Sequence, residues 1–352
     1  MHRQRLAPIP VLAVLLAGLL PMQPALTAPV DASRLLAQRT SNQQTGVQSL
    51  VKQGLDQFQH GIETVDTKMM SEAAQTLQSA ISSAQDQDDR ETEALAHLSL
   101  GGVSNSRLRP KQGKEACQRS LELYQNLADP SGEALSQLCL GSSYIFLGKL
   151  DKARDAFQSA LTLYQQFKDP YGEAATNLAL GGSYLMEIKP QQARTAFQRS
   201  LELYQSVDEP AGEAHALLNV GGSYLIQQEF EQAIPFYEQA RERFRQLNQP
   251  SGEIMTLFFM SMAYGGAKKF LKVIEVSKSV QALLAQENIS LEASFENLVV
   301  AGATIAMPRL LMDQYERTSN QIQPAGTKFL QKADGNKDRK KSRYYVRSCC
   351  QQ

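Results

Sequence analysis

An all-α fold, a solenoid of antiparallel helix hairpins, is what this sequence predicts, and three observations carry the prediction. The first is a period: Tyr124, Tyr164, Tyr204 and Phe244 recur every 40 residues, in step with Pro130, Pro170, Pro210 and Pro250. Gly132, Gly172, Gly212 and Gly252, each followed by a glutamate, keep the same interval, as do Tyr144, Tyr184, Tyr224 and Tyr264. Series in phase are no accident of composition, and a period of roughly 20–50 residues marks a solenoid or array. The second is apolar spacing inside each unit. Ala174, Leu178, Leu180, Gly181, Tyr184 and Leu185, then Ala153, Ala156, Phe157, Ala160, Leu161 and Tyr164, follow steps of three and four that line one helix face. The third is the lack of strand signals between residues 45 and 305.

Taken from the N-terminus, residues 1–32 read as an export signal. His2, Arg3 and Arg5 form a short basic start, and residues 11–20 (VLAVLLAGLL) are continuously apolar before Pro21 and Pro24. A membrane-spanning helix needs about 20 apolar residues, whereas a signal core needs about 7 to 15. Cleavage before Ser33 is favoured over cleavage after Ala28, which would leave Pro29 at the mature N-terminus. Absence of a cysteine near the cleavage site argues against a lipoprotein, and no other segment is apolar enough to span a bilayer. Residues 33–46 are then a linker.

Residues 47–306 hold about six hairpins with degenerate ends. Between units stands a turn such as Asp169-Pro170: aspartate caps a helix N-terminus, and proline fits the first helical position, where its missing N–H has no intrahelical partner. Glu173 in the first turn meets the positive end of the helix dipole. Ala73, Leu77 and Ala80 suit the second helix of an irregular first unit. The next opens on Gly101-Gly102 and replaces the expected aromatic with Ser104. In the last, Ser261, Val273 and Ser277 stand at pattern positions. End repeats are atypical because one face lacks a neighbour. Glycine costs a helix about 1 kcal/mol relative to alanine, so Gly181-Gly182 and Gly221-Gly222 imply close helix approach. A phosphate loop would need Lys-Ser/Thr after a strand, and neither is present.

The units resemble the tetratricopeptide repeat. Leu140-Gly141, Tyr144, Ala153, Phe157 and Ala160 follow its order of large and small residues. Leu180-Gly181, Tyr184, Ala193, Phe197 and Ser200 repeat it, as do Val220, Gly221, Tyr224, Ala233, Tyr237 and Ala240. The longer unit, with extra residues around Asp-Pro-x-Gly-Glu, is similar to repeats of kinesin light chain and of bacterial, notably cyanobacterial, proteins. That resemblance implies a right-handed superhelix whose first helices line a concave groove. Carried over, the groove positions are Leu135, Cys139, Ser142, Ile145 and Phe146; then Ala175, Ala179, Gly182, Leu185 and Met186; then His215, Asn219, Gly222, Leu225 and Ile226. Neither Lys nor Arg occurs in residues 130–147, 170–188 or 210–230, so capture of a peptide carboxylate there is disfavoured. An apolar groove with His215 and Asn219 as polar points suits an amphipathic helix or extended apolar peptide, and packing against neighbouring repeats explains the same side chains.

Catalytic and metal templates are unfilled. The four histidines, His2, His60, His97 and His215, are isolated, and no His-x-x-x-His, Cys-x-x-Cys or Gly-x-Ser-x-Gly spacing occurs. No catalytic residue, metal or cofactor is expected, and the periodic carboxylates read as caps and solvated faces. Cys117 stands where Phe157 and Phe197 stand in later units. Export leaves a Cys117–Cys139 disulfide and a pair of core thiols both open, with strict bridge geometry and an apparent offset across Asp129-Pro130 favouring thiols.

Residues 307–352 lose the period and carry 10 Lys+Arg against 4 Asp+Glu, centred on Lys337-Asp338-Arg339-Lys340-Lys341. They read as a disordered basic tail, in which Cys349-Cys350 could crosslink two chains. Overall 36 basic residues balance 36 acidic ones, yet residues 33–306 hold 24 basic and 31 acidic, which argues against a body whose whole surface attracts nucleic acid and leaves a local patch open. The expectation is an exported, non-enzymatic scaffold with a protein or peptide partner and scope for self-association through its end repeats. It would lie in the periplasm or outside the cell, or in the thylakoid lumen of a cyanobacterium. The rival, also from resemblance, is the sensing arm of a CHAT-type peptidase whose catalytic part lies elsewhere.

Overall fold

The computed structural model describes residues 46–63 and 66–286. The expected signal, most of the linker, the last stretch of the array, the basic tail and Cys349-Cys350 lie outside the described residues. Among those described there are twelve helices and no strand. In chain order they are α1 (Gly46–Glu63), α2 (Thr67–Asp86), α3 (Arg90–Ser106), α4 (Pro110–Asn126), α5 (Pro130–Phe146), α6 (Leu150–Gln166), α7 (Pro170–Met186), α8 (Pro190–Ser206), α9 (Pro210–Ile226), α10 (Phe230–Gln246), α11 (Pro250–Gly266) and α12 (Phe270–Gln286). They pair as six hairpins, each helix packing on its neighbours in sequence.

A uniform connection sets that arrangement. From α2 onward each helix is joined to the next by three residues, the middle one left-handed: Asp88, Leu108, Ala128, Lys168, Ile188, Asp208, Gln228, Asn248 and Lys268 have φ between 51° and 61°, and Gly148 has φ 68°. Each closes its helix with two backbone bonds. At Ala128 the N–H donates to Gln125 O (3.1 Å) and the next N–H, of Asp129, to Tyr124 O (3.0 Å), the Schellman arrangement. The residue after the left-handed one then starts the following helix. Where it is Asp129 or Asp169, as expected, its carboxylate accepts from the N–H groups two and three residues on. The backbone thus repeats every 20 residues, half the period that the side chains show.

Aromatic rings seated on glycines fix how closely the helices approach. A Cβ built on Gly141 would lie 2.3 Å from Phe157, on Gly181 2.3 Å from Phe197, and on Gly221 2.7 Å from Tyr237. These notches join the two helices of a hairpin. A second set joins successive hairpins: Tyr124 fills the space at Gly132, Tyr164 at Gly172, Tyr204 at Gly212 and Phe244 at Gly252, with clearances of 2.1–2.4 Å for an added Cβ. The second glycine of a pair is different, since at Gly222 the nearest atom is Tyr237 Oη at 4.0 Å. Close approach therefore accounts for Gly221 and not for Gly222.

The core runs along the contact between first and second helices. Ala73, Leu77 and Ala80 of α2 are buried in it, as the pattern for the first unit requires. At the other end α12 buries Val276 and Leu284 while Phe270, Leu271 and Ile274 stay exposed, so the degenerate sixth unit is half-covered.

Two substitutions test this account. Gly181→Leu should lower the melting temperature and destabilise by about 1–3 kcal/mol or more, because Phe197 is fully buried and cannot yield; an unchanged Tm rules out the notch. Ile188→Gly should raise stability by about 1 kcal/mol, since Ile188 is 62% exposed and sits in a conformation that costs a β-branched residue. The check is chemical denaturation, with Ile188→Ala giving no comparable gain.

Candidate partner-binding groove

The residues carried over as groove positions lie on α5, α7 and α9, the first helices of their hairpins, and most are packed away. Leu135, Ile145, Ala175, Ala179, Leu185 and Leu225 are buried in the core. Ser142 is also buried, its Oγ donating to Leu138 O at 2.9 Å. Phe146, Met186 and Ile226, each the last residue of its helix, are partly exposed and recur in register. The groove reading contracts to this apolar row with its polar neighbours on α9, because first helices are flanked on nearly every side by other helices.

Cys139 is corrected more sharply. It forms a disulfide with Cys117, Cα to Cα 5.7 Å, and is fully buried, so it presents nothing to a partner. The offset inferred across Asp129-Pro130 does not exist. Antiparallel helices joined by a three-residue turn oppose residues equidistant from its centre, and Cys117 and Cys139 each lie eleven positions from Ala128. Gly101 of α3 faces both sulfurs, at 2.5 and 2.8 Å from a built Cβ, in the place where later units seat an aromatic ring. Around the bridge, Asn105 Nδ2 donates to Cys139 O (3.4 Å) and Ser143 Oγ donates to Asn105 Oδ1 (3.0 Å).

His215 and Asn219, the expected polar points, do come together. Asn219 Nδ2 donates to His215 O at 2.8 Å, which leaves Asn219 Oδ1 buried without a hydrogen-bond partner. His215 Nδ1 is likewise buried and unpartnered, and its ring meets Phe244 edge-on at 5.0 Å. Burial pushes the His215 pKa down to about 4, so the ring is neutral near pH 7. Native proteins leave few buried polar atoms unpaired. Two lie about one helical turn apart on α9, both beneath the surface.

The carboxylates expected on solvated faces belong partly to the interior. Glu93, Glu213 and Glu253 are buried, and each pairs with an arginine of a second helix: Arg119 at 3.6 Å, Arg243 at 3.1 Å and Arg241 at 3.0 Å. Glu173 pairs with Arg199 at 3.0 Å in the same manner. For Glu93, burial pushes the pKa up, but hydrogen bonds from Gln85 and Arg90 and the charge of Arg119 outweigh it and hold the carboxyl below its ordinary value. The partners lie 12 to 30 residues away in sequence, so a reading of local pattern misses them. Among the described residues no three His, Cys, Asp or Glu side chains are grouped to hold a metal, and no helix is long and apolar enough to cross a membrane.

This geometry, antiparallel hairpins of small and aromatic residues in fixed register, defines a helical-repeat protein. The tetratricopeptide repeat family model matches residues 132–206, which makes that stretch a tetratricopeptide repeat segment within the longer array. Among solved structures, BtubC (BKLC) from P. vanneervenii is similar with TM-score 0.50 and 16% identity, over 70% of this chain and 93% of that one. Aspartyl phosphate phosphatase F from Bacillus subtilis is similar with TM-score 0.53 and 13% identity, over 82% and 77%. A signal transduction ATPase with a tetratricopeptide repeat sensor, from Pyrococcus horikoshii, has TM-score 0.52 and 12% identity, over 77% of this chain and 44% of that one. At these identities the likeness is one of fold. No curated protein matches the sequence.

The buried histidine has a pH consequence. A folded pKa of about 4 against 6.5 means that the unfolded chain takes up a proton first. Stability contributed by neutral His215 is complete above pH 6.5 and is lost as pH falls toward 4. His215→Gln should flatten the decline of Tm across that interval relative to the native chain, as read by thermal melts at matched ionic strength. Parallel declines contradict the assignment.

Proposed function

We propose that this chain is a non-enzymatic protein-interaction scaffold that binds an amphipathic helix or an extended apolar peptide of another protein along Phe146, Met186 and Ile226. The observation that carries the reading is the row itself: three apolar side chains, one per hairpin, partly exposed at equivalent helix ends. Apolar anchors at regular spacing suit a helix or strand that lays one face along them. Catalysis has no part in this reading, nor do cofactors, metals or nucleic acid.

The same reading places the protein outside the cytoplasm, after removal of the basic and apolar leader. Support comes from the Cys117–Cys139 bridge, since disulfides persist where the thiol-reducing systems of the cytosol are absent.

One experiment addresses both halves. A photoreactive residue at Met186, in the full chain expressed in its own cells, should give a discrete adduct in the fraction outside the cytoplasm, from a chain that has lost its leader. The adduct should disappear when Phe146→Ser and Ile226→Ser are added, and should be absent when the probe sits at Gln158, exposed on α6. Equal adducts at both probe positions overturn the row as a binding surface. An unprocessed chain retained inside the cell overturns export.

A further inference from the structure

In the fifth hairpin one tyrosine closes the gap between two successive second helices. Tyr224 of α9 has the Arg194 guanidinium of α8 at 3.6 Å from its ring centre and stacks on Phe236 of α10 at 5.4 Å and 17°. Three periods earlier those three positions are Ala74 of α2, Ser104 of α3 and Ala116 of α4. Relative to the fifth hairpin all three large groups are absent; relative to the third and fourth, where Ala156 and Ala196 stand at the position of Ala116, the losses are the ring and the long basic side chain. What remains is a cavity of about 660 Å³, lined by Ala74, Ser104 and Ala116.

The walls of this cavity are basic and polar. Arg107 and Arg109 both line it, and Arg107 donates to Ser71 Oγ at 2.7 Å. Burial first, and then the charge of Arg109, lowers the Arg107 pKa, so the two guanidinium groups are near enough to repel one another. Neither forms an ion pair among the described residues, although Glu115 lines the same cavity. His97 Nδ1 is buried there without a partner, while its Nε2 lies 3.9 Å from Glu93; burial pushes the pKa of that ring down against the charge of Glu93. Two guanidinium groups that line one cavity, neither in an ion pair, are stabilised by an anion that both can reach, and a bidentate carboxylate suits them best.

We propose that this cavity binds a small aromatic carboxylic acid. Its ring occupies the space that Tyr224 fills in the fifth hairpin, and its carboxylate is taken by Arg107 and Arg109. The volume suits a small molecule. The alanines leave room for the ring on either side, as Arg194 and Phe236 flank the tyrosine in the fifth hairpin. On α3 the cavity uses positions 97, 100 and 104, one face of the helix, while the register of the groove positions falls at 95, 99, 102 and 106. The site is therefore independent of the partner-binding row, and either can fail without the other.

Calorimetric titration of the full chain with 4-hydroxyphenylacetate, beside the neutral 4-hydroxyphenylacetamide, tests the proposal. The acid should bind with a Kd below about 1 mM and at least about tenfold more tightly than the amide. Arg109→Gln, at an exposed side chain, should weaken the acid about tenfold and leave the amide unchanged. Ser104→Tyr, which restores the ring present in the other units, should abolish binding of both while the helical circular dichroism and Tm are maintained. No heat from the native chain up to about 10 mM acid overturns the site. So does equal affinity for acid and amide, or native affinity in Arg109→Gln; the last outcome holds whether or not Ser104→Tyr folds.

Discussion

The array depends on one contact, an aromatic ring lying where a neighbouring helix has no side chain. Each typical second helix presents two such rings seven residues apart, hence on one face: Phe157 and Tyr164 on α6, Phe197 and Tyr204 on α8, Tyr237 and Phe244 on α10. The first of each pair meets the glycine of its own hairpin, and the second meets the glycine that opens the next. A single face thus holds the chain in both directions. Removing the Cβ sacrifices helix propensity at two positions per unit, and the rings bury apolar area at close van der Waals contact in return. The same contact explains the second hairpin, where Cys117 is too small to fill the place at Gly101 and the Cys139 sulfur enters from α5 to complete the volume. Cores tolerate exchanges that conserve volume, and here two sulfurs stand in for a ring.

Packing also overrides local preference at the connections. A left-handed residue ends every helix from α2 to α11, a place suited to glycine, and glycine appears there once, at Gly148. Leucine, isoleucine, lysine and alanine occupy equivalent places because the three-residue connection is imposed by helices already locked at their glycines. This is why the 40-residue side-chain period is legible in the sequence while the 20-residue backbone period is not. The placing of aromatic and small residues distinguishes first helices from second ones, whereas the turn residues follow no single type.

Hairpins, caps and end effects were accordingly readable, since Asp129, Asp169 and the apolar spacing act within a few residues of themselves. Burial around the first helices was not. Leucine and alanine look alike whether they line an open groove or fill a closed contact, so Leu135 and Ala179 passed as groove residues until their neighbours across the array were in place. The glutamates failed for a related reason. Glu93, Glu213 and Glu253 recur in the first turn, where the helix dipole alone justifies them, and only the arrival of an arginine from a different helix turns that preference into a buried pair. The pairing of Cys117 with Cys139 becomes legible only when the turn is centred on its left-handed residue, Ala128, and not on Asp129-Pro130.

A repeat makes its own exceptions visible, and they concentrate in the second hairpin. Where a periodic side chain is missing, the space it leaves is either filled by another group of the protein or remains open. The loss at Cys117 was filled, by Cys139. The loss at Ser104 was not filled, because Ala74 stands where Lys114, Arg154 and Arg194 stand later, and Ala116, like Ala156 and Ala196, is too small to close over the gap as Phe236 does. Two reductions converging on one point, at Ala74 and Ser104, cost dispersion contacts and leave Arg107 and Arg109 beside an open space, neither in an ion pair among the described residues. An array able to close such gaps elsewhere has no structural reason to keep this one, so its lining is better understood as suited to what enters it than as a defect in the repeat.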